Sequence, residues 1–356
     1  MPREAACLKV PKKQGQAVIV LASKLGIVDE KLEIQRDEKT IYVPLLNKPP
    51  EDALAVLKKK VPECKITTHV FPEMKKQQDS LVGLLAPTLP LHLLASLPHS
   101  ADIVGDIAII ELTPELEQHG EAIGKAVMKA NKNVRTVLAK ASAVTGTYRL
   151  RDYTVIAGEP KTETVHKEYG CRYYVDVAKA YYSPRLSNEH NRIADLVKEG
   201  ETVIDLFAGV GPFAVRIAKG HSNVKVYAID INPDAVEYLK RNIRLNRVDE
   251  KAHALLGDAR QIINEKLGSV ADRVIMNLPE KAIEFVDVAC VAIKPQGGTV
   301  HFYGFVSDSE PLENMKRHFS ESVERSGRTV DSFLFSRLVR ATAPHEWQAV
   351  LDARIK

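Results

Sequence analysis

The stretch Thr202–Gly220, "TVIDLFAGVGPFAVRIAKG", decides the architecture. An apolar run ends on an acid, Asp205, passes through Gly209-Val210-Gly211 and restarts as an amphipathic helix at Pro212. A short apolar run bounded by turn residues reads as a buried strand, and proline is favoured in a helix's first turn. The unit then recurs: "KVYAIDI" with "PDAVEYLKRNIRLN", "AHALLGD" with "ARQIINEKLG", "DRVIMNL" with "EKAIEFVDVACVAI", and "GGTVHFYGF" with "SEPLENMKRHFSESVERS". Strand–helix alternation of this length predicts an α/β fold, with a doubly wound, mostly parallel sheet over residues 181–356. The tail, "RTVDSFLFSRLVRA" and "HEWQAVLDARIK", predicts two strands joined by a turn at Pro344.

Such sheets bind ligands outside the carboxyl ends of their strands. Those ends carry Asp205, Gly209 and Gly211, Asp230, Asp258 and Asn277. The Gly209-Val210-Gly211 turn lets backbone approach a ligand closely. Asp230 sits where a carboxylate takes both hydroxyls of a ribose, and Asp258 where one accepts from an adenine amine. Each has a plainer use, since strand-end aspartates commonly cap the next helix; four in register point to a nucleoside cofactor. A dinucleotide fits less well. Pro212 removes a backbone donor from the helix start that would hold a pyrophosphate, and Asp205 would repel it. An acid there suits a cation, the methionine ammonium of S-adenosylmethionine.

Upstream the rhythm differs. Residues 1–75 read as a small α/β domain, from the apolar "GQAVIVLASKLG", the strand candidate "KLEIQRDEKTIYVPL" and a helix in "NKPPEDALAVLKKK". Residues 76–180 read as an α+β module: "DIVGDIAIIEL", a helix across Glu115 to Asn131, "VRTVLAK", "YTVIAG" and the hairpin "TETVHKEYGCRYYVDV". The net charge of +4 resides in residues 1–80, where 15 Lys/Arg face 11 Asp/Glu. Residues 125–151 hold seven basic residues and no acid, with Lys132, Arg135 and Lys140 at their centre. That is the footprint of a polyanion partner, or a solvated face compensated elsewhere.

With 45% apolar and 27% charged residues the composition is globular. No apolar run reaches the roughly 18 residues of a membrane span, and "MPREAACLKV" lacks a signal peptide's apolar core. Cys7, Cys64, Cys171 and Cys290 are isolated, and His166, His190, His301 and His345 show no metal spacing. We therefore expect no metal, no disulfide framework and a cytoplasmic location.

"VIDLFAGVGPFAVRIAK" resembles the first motif of class I methyltransferases, with "YAIDINPDAVEYLKRNIRLN", "GDAR" and "NLPE" in the places of the later ones. Together with "LPHSADIVGDIAIIEL", "TETVHKEYGCRYYVDVAKAYYSPRLSNEHNRIA" and "HFYGF", residues 80–350 resemble the archaeal and eukaryotic tRNA (guanine-37-N1)-methyltransferases. The first 75 residues are similar to the small domain with which archaeal members are thought to touch the outer corner of tRNA. The resemblance implies a Rossmann-like methyltransferase domain, S-adenosylmethionine as cofactor, tRNA position 37 as target, and a monomer.

Guanine N1 carries a proton at neutral pH, so its methylation needs a general base and a donor for the charge that moves onto O6. By resemblance Glu189 is the base, and Arg149 steadies O6 and orients Glu189. Arg185 lies four residues before Glu189, which puts both on one face at the entry of a helix Asn188–Lys198. Arg185, Tyr181 and Phe207 are expected around the cofactor or the flipped base. Pro279 removes its own N–H, leaving carbonyls and the Asn277 amide as acceptors for guanine's exocyclic amine. Glu280 departs from the neutral or basic residue expected after the proline; it pairs with a helix-end lysine, or it widens the substrate range. Some archaeal paralogues methylate carbon 7 of the tricyclic 4-demethylwyosine, and Glu280 points to such a bifunctional member. The rival readings are an amino-group methyltransferase acting on RNA or DNA, and a tRNA-binding protein with an inactive methyltransferase core.

Overall fold

The rhythm that starts at Thr202 builds one seven-stranded sheet in the computed structural model, which describes residues 2–37, 39–72, 80–98, 100–143, 145–308 and 311–356. Its strands are β1 (Thr202–Asp205), β2 (Lys225–Asp230), β3 (Ala252–Leu256), β4 (Arg273–Met276), β5 (Gly298–Ser307), β6 (Val330–Ala343) and β7 (Glu346–Ile355). They lie in the order 3-2-1-4-5-7-6. The first five are parallel, and β7 runs antiparallel between β5 and β6. The chain winds outward from β1 in one direction and from β4 in the other, so these adjacent strands mark the topological switch point. Asp205 ends β1 and Asn277 follows β4, which brings the first and last of the expected strand-end residues to one place.

Helices α1 (Pro212–Gly220), α2 (Pro233–Asn246), α3 (Val286–Ala292) and α4 (Leu312–Arg325) connect the strands. Two expected helices are shorter than their sequence patterns. After β3, Ala259–Ile262 makes one α-turn and Ile263–Leu267 a wide π turn. After β4 the chain makes a turn and a 3-10 segment, Ala282–Phe285, before α3 begins. The helix expected over Asn188–Lys198 runs from Ser187 to Leu196, behind a 3-10 turn at Pro184–Leu186.

The expected hairpin forms from Glu163–Glu168 and Cys171–Asp176. Among the described residues no further strand lies beside its outer strand, and α2 takes that place with two asparagines. Asn242 accepts from the Tyr174 N–H at 2.6 Å and donates to the Tyr174 carbonyl at 3.1 Å. Asn246 does the same to Arg172, at 3.0 and 2.7 Å. Four helical residues advance about 6 Å and two strand residues about 6.6 Å. The spacings match closely enough for side-chain amides to stand in for a strand.

This sheet and hairpin belong to a compact unit of residues 102–107, 140–153 and 160–356. The hairpin, read from sequence with the middle segment, lies in that unit. The second unit, residues 1–101, 108–139 and 154–159, holds two apolar cores. In the first, Leu8, Val43 and Leu57 pack between an antiparallel sheet and the helices Gly15–Lys24 and Glu51–Lys60. In the second, Ile110, Ile123 and Val137 join the strands Ile107–Ile110, Thr136–Lys140 and Tyr153–Gly158 to the helix Gly120–Ala130. The single helix expected across Glu115 to Asn131 breaks after Glu117, and its second part lies close against a strand: a Cβ on Gly124 would fall 2.6 Å from that of Ala157. The boundary expected near residue 75 falls outside the described residues. No helix is long and apolar enough to cross a membrane, and no cluster of His, Cys, Asp or Glu fit to hold a metal occurs among the described residues.

The amide clamp makes a direct prediction. Asn242→Ala strands the backbone N–H and C=O of Tyr174 together with the Val210 carbonyl, which the same amide holds at 2.9 Å. Leaving buried polar groups unpaired should cost about 2–4 kcal/mol, read as an earlier urea unfolding transition. Retention of wild-type stability would show that the clamp is dispensable.

Candidate active site

At the switch point lies a cavity of about 280 Å³. Gly209 through Phe207 line it after β1, Asp230 and Ile231 after β2, Asp258 after β3, and Asn277 through Glu280 after β4. Gly209 (φ 54°) and Gly211 (φ 88°) take left-handed conformations that other residues adopt at a cost. At Gly211 space matters too: a Cβ would lie 2.3 Å from Leu239 Cδ1, so its absence lets α1 sit against α2.

Asp230 ties the turn to β2. Its Oδ2 accepts from the Gly209 N–H at 2.6 Å and its Oδ1 from the Asn232 N–H at 2.9 Å. A carboxylate accepts about four hydrogen bonds, so each oxygen keeps capacity for a ligand. Asp258 is exposed and caps the following turn through the Gln261 N–H at 3.1 Å. Both the plain use and the ligand-facing position hold for it.

Asp205 differs from expectation. It is fully buried and is not part of the cavity wall. One oxygen accepts from the Phe207 N–H at 3.3 Å, and Oδ2 has no partner. Burial pushes its carboxyl up to about 7 against the Phe207 N–H, and the charge of Asp230 adds to the rise.

Arg149 stands on the opposite wall, with a left-handed backbone (φ 56°). Its guanidinium lies over the Tyr181 ring, 5.2 Å from the centroid, and its Nη2 is 3.3 Å from Glu280 Oε1. Glu280 therefore pairs with Arg149 and not with a helix-end lysine. Nε and Nη1 of Arg149 are buried without a partner. Orphaned donors of this kind are costly, which marks them as ligand-directed.

The tail hairpin supplies groups that sequence reading missed. Arg340 on β6 donates to Tyr181 Oη and Ser183 Oγ at 3.0 Å each, and to Gln348 Oε1 at 2.9 Å. Gln348 on β7 then donates from Nε2 to Asn277 Oδ1 at 3.1 Å. Arginine only donates, so the direction of each amide follows from the one before it. Asn277 thus offers its Nδ2 protons to the cavity, where an acceptor was expected. The Leu278 carbonyl is also committed, accepting from the Lys281 and Ala282 N–H groups at 2.9 and 2.7 Å. Pro279 lines the wall beside them. A polar residue in a strand buried on both faces was the available signal, and Gln348 is only 1% exposed.

Glu189 and Arg185 do not come together. Arg185 lies in the 3-10 turn with Nε 2.6 Å from Asp102 Oδ1, away from the cavity wall. Glu189, 1% exposed, starts the next helix and points into an ionic network. The two fall on different faces because the 3-10 turn rotates the chain between them. Arg192 Nη2 at 2.8 Å, Tyr303 Oη at 2.9 Å and Arg337 donate to Glu189. Burial works to raise its pKa, and these donors outweigh it and hold the carboxyl below its usual range. Arg192 continues to Asp352 at 2.5 Å, and Asp352 to His301 Nδ1 at 2.6 Å. Since Arg273 Nη1 donates to His301 Nε2 at 2.8 Å, the proton of a neutral His301 is on Nδ1. Glu189 is not on the cavity wall, although its neighbour His190 is.

Phe207 lines the cavity and meets Phe285 edge to face, with centroids 5.0 Å apart. Ile231 is 42% exposed there, an apolar surface that no motif or spacing singles out. Lys132 and Arg135 are exposed in the other unit, Arg135 lying 3.8 Å from Glu159, and Lys140 ends a strand.

Residues 164–330 match the TRM5/TYW2 methyltransferase domain, 81–162 the TYW2 N-terminal domain and 7–53 the tRNA methyltransferase 5 N-terminal domain. The chain is 37% identical over 348 residues to the tRNA (guanine(37)-N(1))-methyltransferase Trm5b of Pyrococcus abyssi, covering 98% of each. The crystal structure of that protein superposes with a TM-score of 0.71 at 36% identity over 99% of each chain. A complex of aTrm5 and tRNALeu gives 0.69 at 32% identity, covering 98% of this chain and 99% of that one. The tRNA 4-demethylwyosine(37)-methyltransferase Taw21 of Saccharolobus solfataricus is 35% identical over 254 residues, 71% of this chain and 92% of that protein. On this likeness along its whole described length, the chain belongs to the TRM5/TYW2 methyltransferase family.

Proposed function

We propose that the chain transfers a methyl group from S-adenosylmethionine to N1 of guanosine 37 in tRNA. The observation that carries this reading is Arg149. Two of its N–H groups are buried without partners, on a residue that lines the same cavity as a ribose-type carboxylate, Asp230. Either fits an oxygen on which charge develops, and donors placed for such an oxygen are a large part of catalysis.

The residues fit the cofactor. Asp230 has lone pairs to spare for two ribose hydroxyls, Asp258 takes an adenine amine, and Ile231 with Phe285 flanks the ring. The partnerless Oδ2 of Asp205 favours a cation nearby. Bound there, the cofactor supplies an electrophilic methyl on a sulfonium, whose transfer neutralises charge. Arg149 donates to O6 of the target base, and Asn277 donates beside it. Glu189 receives the N1 proton in this reading: its depressed pKa keeps it ionised, and Arg192 and Tyr303 hold it. Arg337, 43% exposed, is the donor that must release it toward the base. Lys132 and Arg135, which are exposed, and Lys140, which is half-buried, contact the phosphate backbone in this reading.

A second reading is favoured by one observation. Glu280, half-exposed at the cavity, is a polar group suited to a larger ring edge, and the likeness to Taw21 covers most of the chain. Carbon-7 methylation of 4-demethylwyosine is then a second activity of the same site.

The test is mass spectrometry of nucleosides from tRNA treated with enzyme and labelled methyl donor. Label is expected on N1 of guanosine 37 and lost when that base is changed; label on an exocyclic amine would sink the reading. A parallel arm with 4-demethylwyosine at position 37 decides the second activity.

The shifted carboxyl of Asp205 links cofactor binding to pH. Its pKa of about 7 in the free protein leaves it protonated below that pH, and a cationic ligand favours the ionised form. Binding should therefore release a proton, and affinity should fall as pH drops from about 7 to 5.5, by up to about tenfold per unit. Calorimetry in buffers of different ionisation enthalpy reads the proton directly, and Asp205→Asn should abolish its release. For the base, Glu189→Gln should slow single-turnover methylation by about 10²-fold or more, with cofactor affinity kept. A rate within about threefold of wild type would leave Glu189 a purely structural ion partner.

A further inference from the structure

We infer that Glu280 is a specificity-determining residue, which accepts a hydrogen bond from the exocyclic amine of the target guanine while Arg149 donates to its ring carbonyl. The inference rests on the proposed function and deepens it. A guanine's pairing edge offers an acceptor, O6, and two donors, N1–H and the 2-amino group, so a protein that reads it must present both kinds of partner. The β4 end presents fewer acceptors than its sequence suggests. Arg340 fixes Gln348, Gln348 fixes Asn277, and one of the two lone pairs of Asn277 Oδ1 is thereby committed. The Leu278 carbonyl is used twice by the turn. Glu280 is the charged acceptor of this segment, with a side chain half-exposed at the cavity and one oxygen 3.3 Å from Arg149.

Arg149 and Glu280 satisfy one another with complementary charges. Entry of a guanine adds two contacts to that one: O6 on a partnerless N–H of Arg149, and the 2-amino group on Glu280. N1 lies between the two positions and stays open to the methyl donor. An adenine offers an amine where Arg149 needs an acceptor. Inosine offers the carbonyl but no amine to Glu280, so one of the two added contacts is missing. A site built to hydrogen-bond a group discriminates strongly against an analogue that lacks it.

The experiment compares single-turnover kcat/KM on tRNA carrying guanosine or inosine at position 37, for the full-length wild type, Glu280→Ala, Glu280→Gln and Glu284→Ala. Glu284 is a second exposed carboxylate on the same cavity and serves as the control. The wild type should prefer guanosine by about tenfold or more, the order expected for a lost hydrogen bond to a charged group. Glu280→Ala should bring the two substrates within about threefold, chiefly by losing rate on guanosine, and Glu280→Gln, which keeps an acceptor, should restore part of the preference. A preference unchanged in Glu280→Ala, with both rates lowered together, would reduce Glu280 to a positioner of Arg149. Its disappearance in Glu284→Ala would move the acceptor there. Either result overturns the inference while wild-type methylation of guanosine 37 leaves the proposed function standing.

Discussion

A guanidinium donates hydrogen bonds and never accepts them, and this constraint organises the site more than any single distance. Three arginines meet it differently. Arg340 spends its donors on Tyr181, Ser183 and Gln348, and so sets the direction of every amide down to Asn277. Arg192 spends its donors on Glu189 and Asp352, holding two buried carboxylates apart and ionised. Arg149 keeps two buried N–H groups unspent. A donor-only group that is satisfied serves as scaffold, and the unsatisfied one is the group that the proposed function turns to the substrate. The same residue type therefore supplies both the frame of the cavity and its recognition chemistry.

The frame also explains how a segment without regular structure covers the cavity. Between the hairpin and the helix Ser187–Leu196, the chain carries Tyr181, Ser183 and Leu186 to the wall. It is held along its length by side chains of the large sheet and its helices. Asn246 and Asn242 grip the hairpin strand, and Asn232, at the start of α2, donates to the Lys179 carbonyl at 2.7 Å. Arg340 completes the series at Tyr181 and Ser183. Each grip pairs a backbone or hydroxyl group that burial would otherwise leave unsatisfied. Rigid positioning of this kind is what in-line methyl transfer requires, since small misplacements of the reacting atoms are expensive.

Much of the architecture was legible because it depends on local periodicity. Strand–helix alternation from Thr202, the glycines of the first turn and the aspartates at the strand ends all follow from spacing along one stretch of chain. What was not legible depends on pairings across long separations. The orientation of Asn277 is decided 71 residues away by Gln348, and the state of Glu189 by Arg337 and Asp352, 148 and more residues on. The tail strand β7 is buried on both faces along most of its length, so it shows no polar alternation to say which residues look toward the site. The reading of Arg185 and Glu189 as one face failed for a local reason, since helical spacing was applied across a 3-10 turn. Asp205 was legible as a strand-end acid, but its full burial was not, because that depends on how the neighbouring strands and the turn close over it.

The buried carboxylates of this unit divide by the sign of their shifts, and Asp230 is the one of them that lines the cavity. Asp205 and Asp230, at the ends of β1 and β2, are raised by burial that neutral backbone N–H donors only partly offset. Their charge is costly in the free protein, so a cationic ligand gains by restoring it. Glu189 and Asp352 are buried too, yet arginines, Tyr303 and His301 hold them down, Asp352 to about 2. Their charge is settled before any ligand arrives. In the proposed reaction the strand-end acids favour a positive partner, and the Glu189 network keeps a fixed anion. A reaction that takes a methyl from a sulfonium and a proton from a ring nitrogen needs those two conditions together. Spatial separation of donor-poor and donor-rich burial provides both in one fold.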